Sequence, residues 1–420
     1  MSPLTGIWAG NGGCHVGNPF IRRVTLRNYK SIAACKVDLG PLMFLVGPNG
    51  AGKSNFLDAL RFVADALRNS LDYALRDRGS IREVRRRSGG HPTQFSLRLD
   101  FTLPTEQQGF YTFKVGATDS NGFKVQTEEC RIGSFMGQPE AHFNIEDGQV
   151  VSASFTPRPA SVSDRLYLVA ASGIPEFRPV FDALSRIEVY NLNPRAIAAM
   201  QKPDPGDILR RDGSNAASVL QRFPREMHAR VLDDLRRIVP GISDLKYRTL
   251  GSQETIEFSQ AVPGQEYPWK FLADSMSDGT LRALGVLLAV YQGSIVSSDQ
   301  PRPLTIGLEE PESALHPAAA RVLLAALREG SRDCQILVTS HSPDLLDVPD
   351  IPDSALLAVD SQQGMTRIGS IDTVSREMIR NRLFTPGELL RQDQIRPADD
   401  VLSDVRHLRQ LHMFSADGHT

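Results

Sequence analysis

Three kinds of apolar run succeed one another along this chain. Stretches at 43–46, 304–308 and 336–338 are almost continuously apolar, as expected of strands buried on both faces of a parallel sheet. A helical period follows the first of them: across 55–76, Phe56, Leu57, Leu60, Val63, Ala64, Leu67 and Leu71 return at intervals of three and four. Strict alternation takes over at 94–103, where Phe95, Leu97, Leu99, Phe101 and Leu103 share one face of an amphipathic strand, and 110–115 continues in kind. The runs 142–146 and 149–155 flank Asp147-Gly148, a hairpin turn signal. Helical spacing returns at 175–186, at 216–237 behind a cap at Asp212-Gly213-Ser214-Asn215, and at 281–291. Closing strands are expected at 355–359 and 365–368, with helices at 374–382 and 398–413.

The strand and helix at 43–76 enclose Gly47-Pro48-Asn49-Gly50-Ala51-Gly52-Lys53-Ser54, a complete G-x-x-x-x-G-K-[ST] loop. Its glycines let backbone amides turn around a β-phosphate at the positive end of a helix. Lys53 then reaches the β and γ oxygens, and the Ser54 hydroxyl serves Mg²⁺. Asn49, Gly50, Gly52, Lys53, Ser54 and Asn55 are therefore the nucleotide-binding candidates.

Such a loop alone fits many phosphoryl-transfer proteins, and three later motifs narrow the choice. The strand 304–308 ends in Glu309-Glu310: Glu309 is placed to hold Mg²⁺ through its water shell, and Glu310 to polarise the attacking water. Gln335-Ile336-Leu337-Val338-Thr339-Ser340-His341 is another buried strand, with a histidine where ligands of open α/β sheets gather, so His341 is a candidate γ-phosphate contact. Ser275-Met276-Ser277-Asp278-Gly279-Thr280 opens the helix at 281–291, and a helix start offers a hydroxyl, free amides and a positive dipole end.

In this order the motifs resemble the ABC-type ATPases of the SMC, RecF and OLD group. Gly-Pro-Asn-Gly-Ala-Gly-Lys-Ser-Asn at 47–55, Ser-Asp-Gly-Thr at 277–280, Glu-Glu-Pro-Glu-Ser-Ala-Leu-His-Pro at 309–317 and Thr-Ser-His-Ser-Pro at 339–343 carry the likeness, and Ile21 to Ser31 resembles that group's opening strand. The resemblance implies an α/β fold, a P-loop NTPase with an ABC-type ATPase head. It implies ATP and Mg²⁺ as cofactors, and two heads sandwiching nucleotide, so that Ser277 and Gly279 act on the loop of a second copy. It also implies that Lys30 and Ser31 lie near the base or α-phosphate. Two positions depart from the wider ABC pattern: Glu309 stands where many members have Asp, and His316 where transporters have Asp. No Q-loop glutamine is evident, and Asn191 in the strand at 187–192, or Asn193 directly after it, occupies its place.

Composition adds limits. Hydrophobic residues make up 41% and charged residues 23%, ordinary for a globular chain. No apolar run approaches the roughly 20 residues of a membrane span, and the glycine-rich start lacks the regions of a signal peptide, so a cytoplasmic location is expected. The four cysteines, Cys14, Cys35, Cys130 and Cys334, are too widely spaced for a disulfide frame or zinc. Net charge is −2, yet 76–87 carries six arginines; of these Arg82, Arg85, Arg86 and Arg87 are candidates for contacts to DNA or RNA phosphates, with double-stranded DNA as the candidate partner, or equally a solvated or internally paired basic face.

The expected layout is a tail at 1–20, an ATPase lobe with the P-loop at 21–91, an antiparallel β lobe at 92–160, a helical insertion at 161–250, a second ATPase segment at 251–370 and C-terminal helices at 371–420. No sustained heptads occur, which excludes long coiled-coil arms. The C-terminal segment is too short for the TOPRIM domain of OLD nucleases. The favoured role is therefore an ATPase sensor or regulator of a bacterial defence system, dimeric on ATP and served by a separate effector such as a nuclease. The alternative is a RecF-like clamp that closes on DNA.

Overall fold

The computed structural model describes residues 20–87, 92–118, 122–133, 141–294, 302–348 and 350–398. Its strands are β1 (Ile21–Tyr29), β2 (Ile32–Asp38), β3 (Leu42–Val46), β4 (Gln94–Thr102), β5 (Gln108–Ala117), β6 (Phe123–Gly133), β7 (Ala141–Glu146), β8 (Gln149–Ala153), β9 (Glu188–Tyr190), β10 (Ile242–Leu250), β11 (Gln253–Gln260), β12 (Trp269–Leu272), β13 (Thr305–Glu309), β14 (Gln335–Ser340), β15 (Leu356–Gln362) and β16 (Met365–Ser370). Thirteen of them form one sheet in the order β8-β7-β6-β5-β4-β1-β2-β16-β15-β3-β14-β13-β9, and β10-β11-β12 form a second.

The unbroken apolar runs are explained by what covers them. Leu42, Phe44 and Val46 of β3 join one hydrophobic core and Met43 and Leu45 the other, so successive side chains enter opposite faces and both must be apolar. Leu337 against Ile336 and Val338 on β14 divides in the same way. Helix Lys53–Arg68 covers the first face, and helices Arg225–Ile238, Asp278–Gln292 and Pro317–Gly330 supply the second core.

The antiparallel strands β4 to β8 are not a detached lobe: β4 pairs with β1, so they prolong the same sheet. Their core is aromatic. Phe62 stands edge-on to Phe95 at 5.4 Å and Tyr29 edge-on to Phe95 at 5.8 Å, contacts that add about 0.5–1.5 kcal/mol each beyond burial. The hairpin β7-β8 turns at Asp147 and Gly148, both at positive φ.

The expected helix at 55–76 is two, Lys53–Arg68 and Leu71–Arg76, because the Ser70 Oγ accepts from Tyr73 N and starts a new helix. The helix at 216–237 likewise splits into Ala216–Arg222 and Arg225–Ile238 around Pro224, which has no N–H to continue the ladder and disfavours helical backbone at Phe223. Asn215 precedes the first of these but does not cap it; its side chain oxygen accepts from Arg210 N at 2.7 Å instead. The stretch 161–250 is not purely helical. Glu188–Tyr190 is the edge strand of the large sheet, and Ile242–Leu250 pairs with β11, its buried Ile242 and Leu245 offset by outward Lys246 and Arg248. The helix expected at 398–413 lies outside the described residues but for Ala398, and the tail at 1–20 but for Phe20.

Candidate nucleotide site

Parallel pairing puts the ends of four strands in one row. Val46 pairs with Ser340, Thr339 with Glu309, and Leu308 with Tyr190. The residues that follow these ends, Gly47, His341, Glu310 and Asn191, therefore emerge along one rim, where an open α/β sheet gathers its ligands.

At this rim the loop 47–54 is shaped by positive φ at Gly47, Gly50 and Gly52. A Cβ on Gly47 would stand 1.9 Å from the Val359 carbonyl oxygen, and one on Gly52 2.1 Å from Thr366 Oγ1, so glycine is required at both for space as well as conformation. Helix Lys53–Arg68 starts with no acidic residue in its first turn, which leaves its positive end open to an anion. Lys53 is buried, and its Nζ donates to the carbonyl oxygens of Gly47 at 2.8 Å and Pro48 at 3.0 Å. Burial lowers its pKa, opposed by the charges of Glu310 and then Glu312. The loop is braced from behind: Asn55 Nδ2 donates to Ser31 Oγ at 2.7 Å, Ser31 Oγ meets Thr366 Oγ1 at 2.6 Å, and Thr366 Oγ1 donates to the Ala51 carbonyl at 2.7 Å.

The two acids at the end of β13 have different surroundings. Glu309 is hydrogen-bonded to the Ser54 hydroxyl, and burial raises its pKa, with that bond acting in the opposite direction. A half-buried carboxylate facing the loop hydroxyl is a donor set suited to a hard divalent cation that keeps much of its water; Ser54 and Glu309 fit Mg²⁺. Glu310 turns away at φ 44, a left-handed conformation unusual for a non-glycine residue. Its Oε1 lies 3.0 Å from His341 Nδ1, and its backbone N–H donates to the Thr339 carbonyl at 3.0 Å. Lys53, Glu310 and His341, distant in sequence, thus share one electrostatic neighbourhood.

Ser277 caps helix Asp278–Gln292: its Oγ accepts from Thr280 N at 3.2 Å and meets Thr280 Oγ1 at 2.8 Å. Gly279 packs on the segment after Glu310, where a Cβ would come within 2.5 Å of the Ala314 carbonyl oxygen. The partners of this pair are thus the helix cap and that segment rather than the loop of the same chain. His316 fills its departure from Asp with the same chemistry, since its Nδ1 accepts from Ala318 N at 3.2 Å and caps helix Pro317–Gly330. A cavity of about 560 Å³ opens beside Glu309, bordered also by Arg61, Arg211 and Arg282 and by Asn191 and Asn193. Asn193 Oδ1 is engaged with Arg195 N at 3.0 Å, which caps helix Pro194–Ala198.

Other expected residues lie elsewhere in the local network. Lys30 is held by Asp58 at 2.5 Å and would have to leave that pair to reach a nucleotide. Asp58 also takes Arg78 and Tyr29; burial opposes its ionisation, but Arg78 and then Lys30 outweigh it and hold the carboxyl below its usual value. Arg78 is almost wholly buried between Asp58 and Asp65. Among the nucleic-acid candidates, Arg85 and Arg86 are half-buried, with Arg85 donating to the Pro92 carbonyl and Arg86 N to the Asn28 carbonyl; Arg82 and Arg87 are exposed, and Arg87 pairs with Glu83. The sequence reading passed over Glu312, Ser340 and Thr366. The first was visible only as a third acid in Glu309-Glu310-Pro311-Glu312, and the others as ordinary hydroxyls.

Sheet order, loop and the row of strand ends define the class, an ABC-type ATPase of the SMC and OLD group with a P-loop NTPase fold. Residues 42–347 match the family described as "AAA domain, putative AbiEii toxin, Type IV TA system", and the chain belongs to it. An OLD nuclease of Thermus scotoductus is 26% identical over 353 residues, which take in 78% of this chain and 60% of that protein; the chain thus spans less than two thirds of its relative. In fold the chain resembles an SMC head bound to the C-winged helix domain of ScpA, at a TM-score of 0.51 and 14% identity over 85% of this chain and 99% of that one. It also resembles the SMC head with an extended coiled coil bound to the C-terminal domain of ScpA from Pyrococcus furiosus, at 0.52 and 12% over 87% and 99%. Among the described residues no helix is long and apolar enough to cross a membrane.

Proposed function

We propose that this ATPase hydrolyses ATP with Mg²⁺ and pairs with a second copy when ATP is bound. The observation that carries this reading is the convergence of Lys53, the Ser54–Glu309 pair and the Glu310–His341 pair on one row of strand ends. Lys53 binds the phosphates, exchanging its two carbonyl acceptors for them. Ser54 and Glu309 hold the cation, which supplies charge neutralisation at the phosphates. Glu310 accepts the proton of the attacking water, and His341, whose Nδ1 lies 3.0 Å from the Glu310 carboxylate, orients it and contacts the terminal phosphate. Ser277 and Gly279 stand at a helix start whose hydroxyl and amides suit a phosphate presented by a second chain. Asn191, at the cleft beside Glu309, takes the place of a Q-loop glutamine. A pair of heads is tested by gel filtration with light scattering of Glu310→Gln, with and without ATP: a monomer in both states sinks the second copy.

The biological role we infer is that of a sensor or regulator in a bacterial defence system, with the output made by a separate effector such as a nuclease. The family's description in terms of a toxin–antitoxin system and the kinship to an OLD nuclease support it. Purification from native cells tests this: a nuclease that co-elutes in an ATP-dependent manner is expected, and purification without any effector counts against it. A DNA clamp is the second reading, favoured by exposed Arg82 and Arg87 and weakened by the internal partners of Arg78, Arg85 and Arg87.

A further inference from the structure

We propose that Glu312 is a positioning residue for ATP hydrolysis, which holds Glu310 and His341 in register through Ser340. This rests on the reading that those two residues serve that reaction. Glu310 follows the end of β13 and His341 the end of β14, so their mutual geometry depends on whatever ties the two segments together beyond the strand pairing. Glu312 makes that tie. Its Oε1 accepts from Ser340 Oγ at 2.5 Å, and the same hydroxyl accepts from Ser342 N at 3.1 Å, so the turn containing His341 is folded around it. On the other side, Ser313 N donates to the Glu310 carbonyl and Leu315 N to the Glu312 carbonyl, which fix Glu312 relative to Glu310 within one short turn.

The state of the carboxylate argues against a merely structural acid. Glu312 is only 8% exposed, yet its Oε2 is buried with no hydrogen-bond partner among the described residues. Buried polar atoms without partners are rare in folded proteins and persist where something else requires them. Lys53, Glu310 and His341 all lie within its electrostatic reach. A buried acid thus stands beside the three side chains assigned to the chemistry, and its bond from Ser340 leads to the residue before His341.

Positioning through a hydrogen bond has a signature that separates it from charge and from general stability. Glu312→Ala and Ser340→Ala should each lower kcat about tenfold while KM for ATP stays within about twofold, since small misplacements of catalytic groups act on rate far more than on ground-state binding. Glu312→Gln keeps an oxygen to accept from Ser340 and should recover at least half of the wild-type kcat. The double variant Glu312→Ala/Ser340→Ala should be no slower than the slower single one, because both remove one bond. Retained binding of a fluorescent ATP analogue shows that each protein is folded, and Ser340→Ala with Glu312→Gln carries the test should Glu312→Ala not fold. Wild-type kcat in either alanine variant, a glutamine variant as slow as alanine, or additive losses in the double variant would overturn the proposal. Glu310→Gln measured beside them separates the outcomes: full activity there removes the underlying reading, whatever Glu312 does.

Discussion

One sheet serves two purposes on either side of its middle. From β15 to β9 the neighbours β15, β3, β14, β13 and β9 run parallel, whereas from β1 through β4 to β8 they run antiparallel. Parallel strands present all their carboxyl ends on one side, so polar residues that follow each strand meet along a single rim. Antiparallel strands alternate their ends and cannot concentrate residues in that way. The two buried acids of the comparison make the same point. Glu128 of β6 accepts from Tyr111 Oη at 2.9 Å, Leu168 N at 2.8 Å and Tyr167 N at 2.5 Å, and both its oxygens are used to join the β extension to helix Tyr167–Ala171. Glu312 is buried nearly as deeply with one oxygen unpartnered among the described residues. The first acid ties two structural segments together, whereas the second is bonded to the turn that carries His341.

The largest break of the comparison is expected at Glu310. Glu310→Gln keeps the shape of the side chain and removes the proton acceptor, so kcat should fall by about 10²–10⁴ with ATP affinity nearly unchanged, measured by phosphate release and by equilibrium nucleotide binding. Hydrolysis at the wild-type rate would mean that another group accepts the proton. Next in size is Lys53→Ala. Removing the charge-assisted bonds to the phosphates should weaken ATP binding about tenfold to a hundredfold, read by calorimetry; unchanged affinity would remove Lys53 from the phosphate site.

The antiparallel half predicts a stability effect with its own pH window. Burial raises the Glu128 carboxyl from its ordinary value to about 7, against the opposing hydrogen bonds from Tyr167, Leu168 and Tyr111. Because the folded pKa is the higher one, the folded state binds the proton more tightly, and its stability falls as pH rises from about 4.5 toward 7. Above that window Glu128 costs stability on the order of 3 kcal/mol relative to low pH. Glu128→Gln carries no charge at any pH, so denaturant titrations between pH 5 and 7.5 should show a flatter pH dependence than wild type, while ATP turnover per folded molecule is unaltered. An equal slope in both proteins would mean that Glu128 does not titrate in this range.

How much of this was legible in the sequence differs between the halves in a physically sensible way. The rim residues stand in local motifs, Gly47 to Ser54, Glu309-Glu310 and Thr339-Ser340-His341, whose spacing is fixed by one loop or one strand end, so a linear reading reaches them. The alternation of Phe95, Leu97, Leu99 and Phe101 revealed an amphipathic strand just as directly. What escaped depends on packing between segments far apart in the chain. That Glu312 would meet Ser340, that Thr366 would fill the space Gly52 leaves, and that β4 would pair with β1 and fuse the extension to the head are properties of packing, not of spacing. The breaks at Ser70 and Pro224 were legible and were overridden by an apolar period that runs across both, because the two helices on either side of each break bury the same cores.

The smallest expected effect concerns the basic stretch that leads from the head into the extension. Its arginines do not act as one patch. Arg78 is enclosed by Asp58 and Asp65 and belongs to the interior, Arg85 and Arg87 have partners in the Pro92 carbonyl and Glu83, and Arg82 and Arg87 reach the surface. If this surface meets DNA, changing Arg82, Arg85, Arg86 and Arg87 to glutamine should reduce the slope of log affinity against log salt by about 0.9 for each phosphate that the variant no longer neutralises. A reduction of about one to two slope units would match the surface residues alone. Fluorescence anisotropy with a DNA duplex across a salt series measures it, with Glu310→Gln and ATP present, the condition under which the proposed head pair forms. A slope equal to that of the unchanged protein assigns the stretch to internal pairing and leaves the clamp reading without its observation. Because the exposed Arg87–Glu83 pair contributes well under about 1 kcal/mol, a companion variant that changes only Arg82 and Arg87 should unfold at nearly the wild-type temperature, which keeps a flattened slope from being mistaken for an unfolded protein.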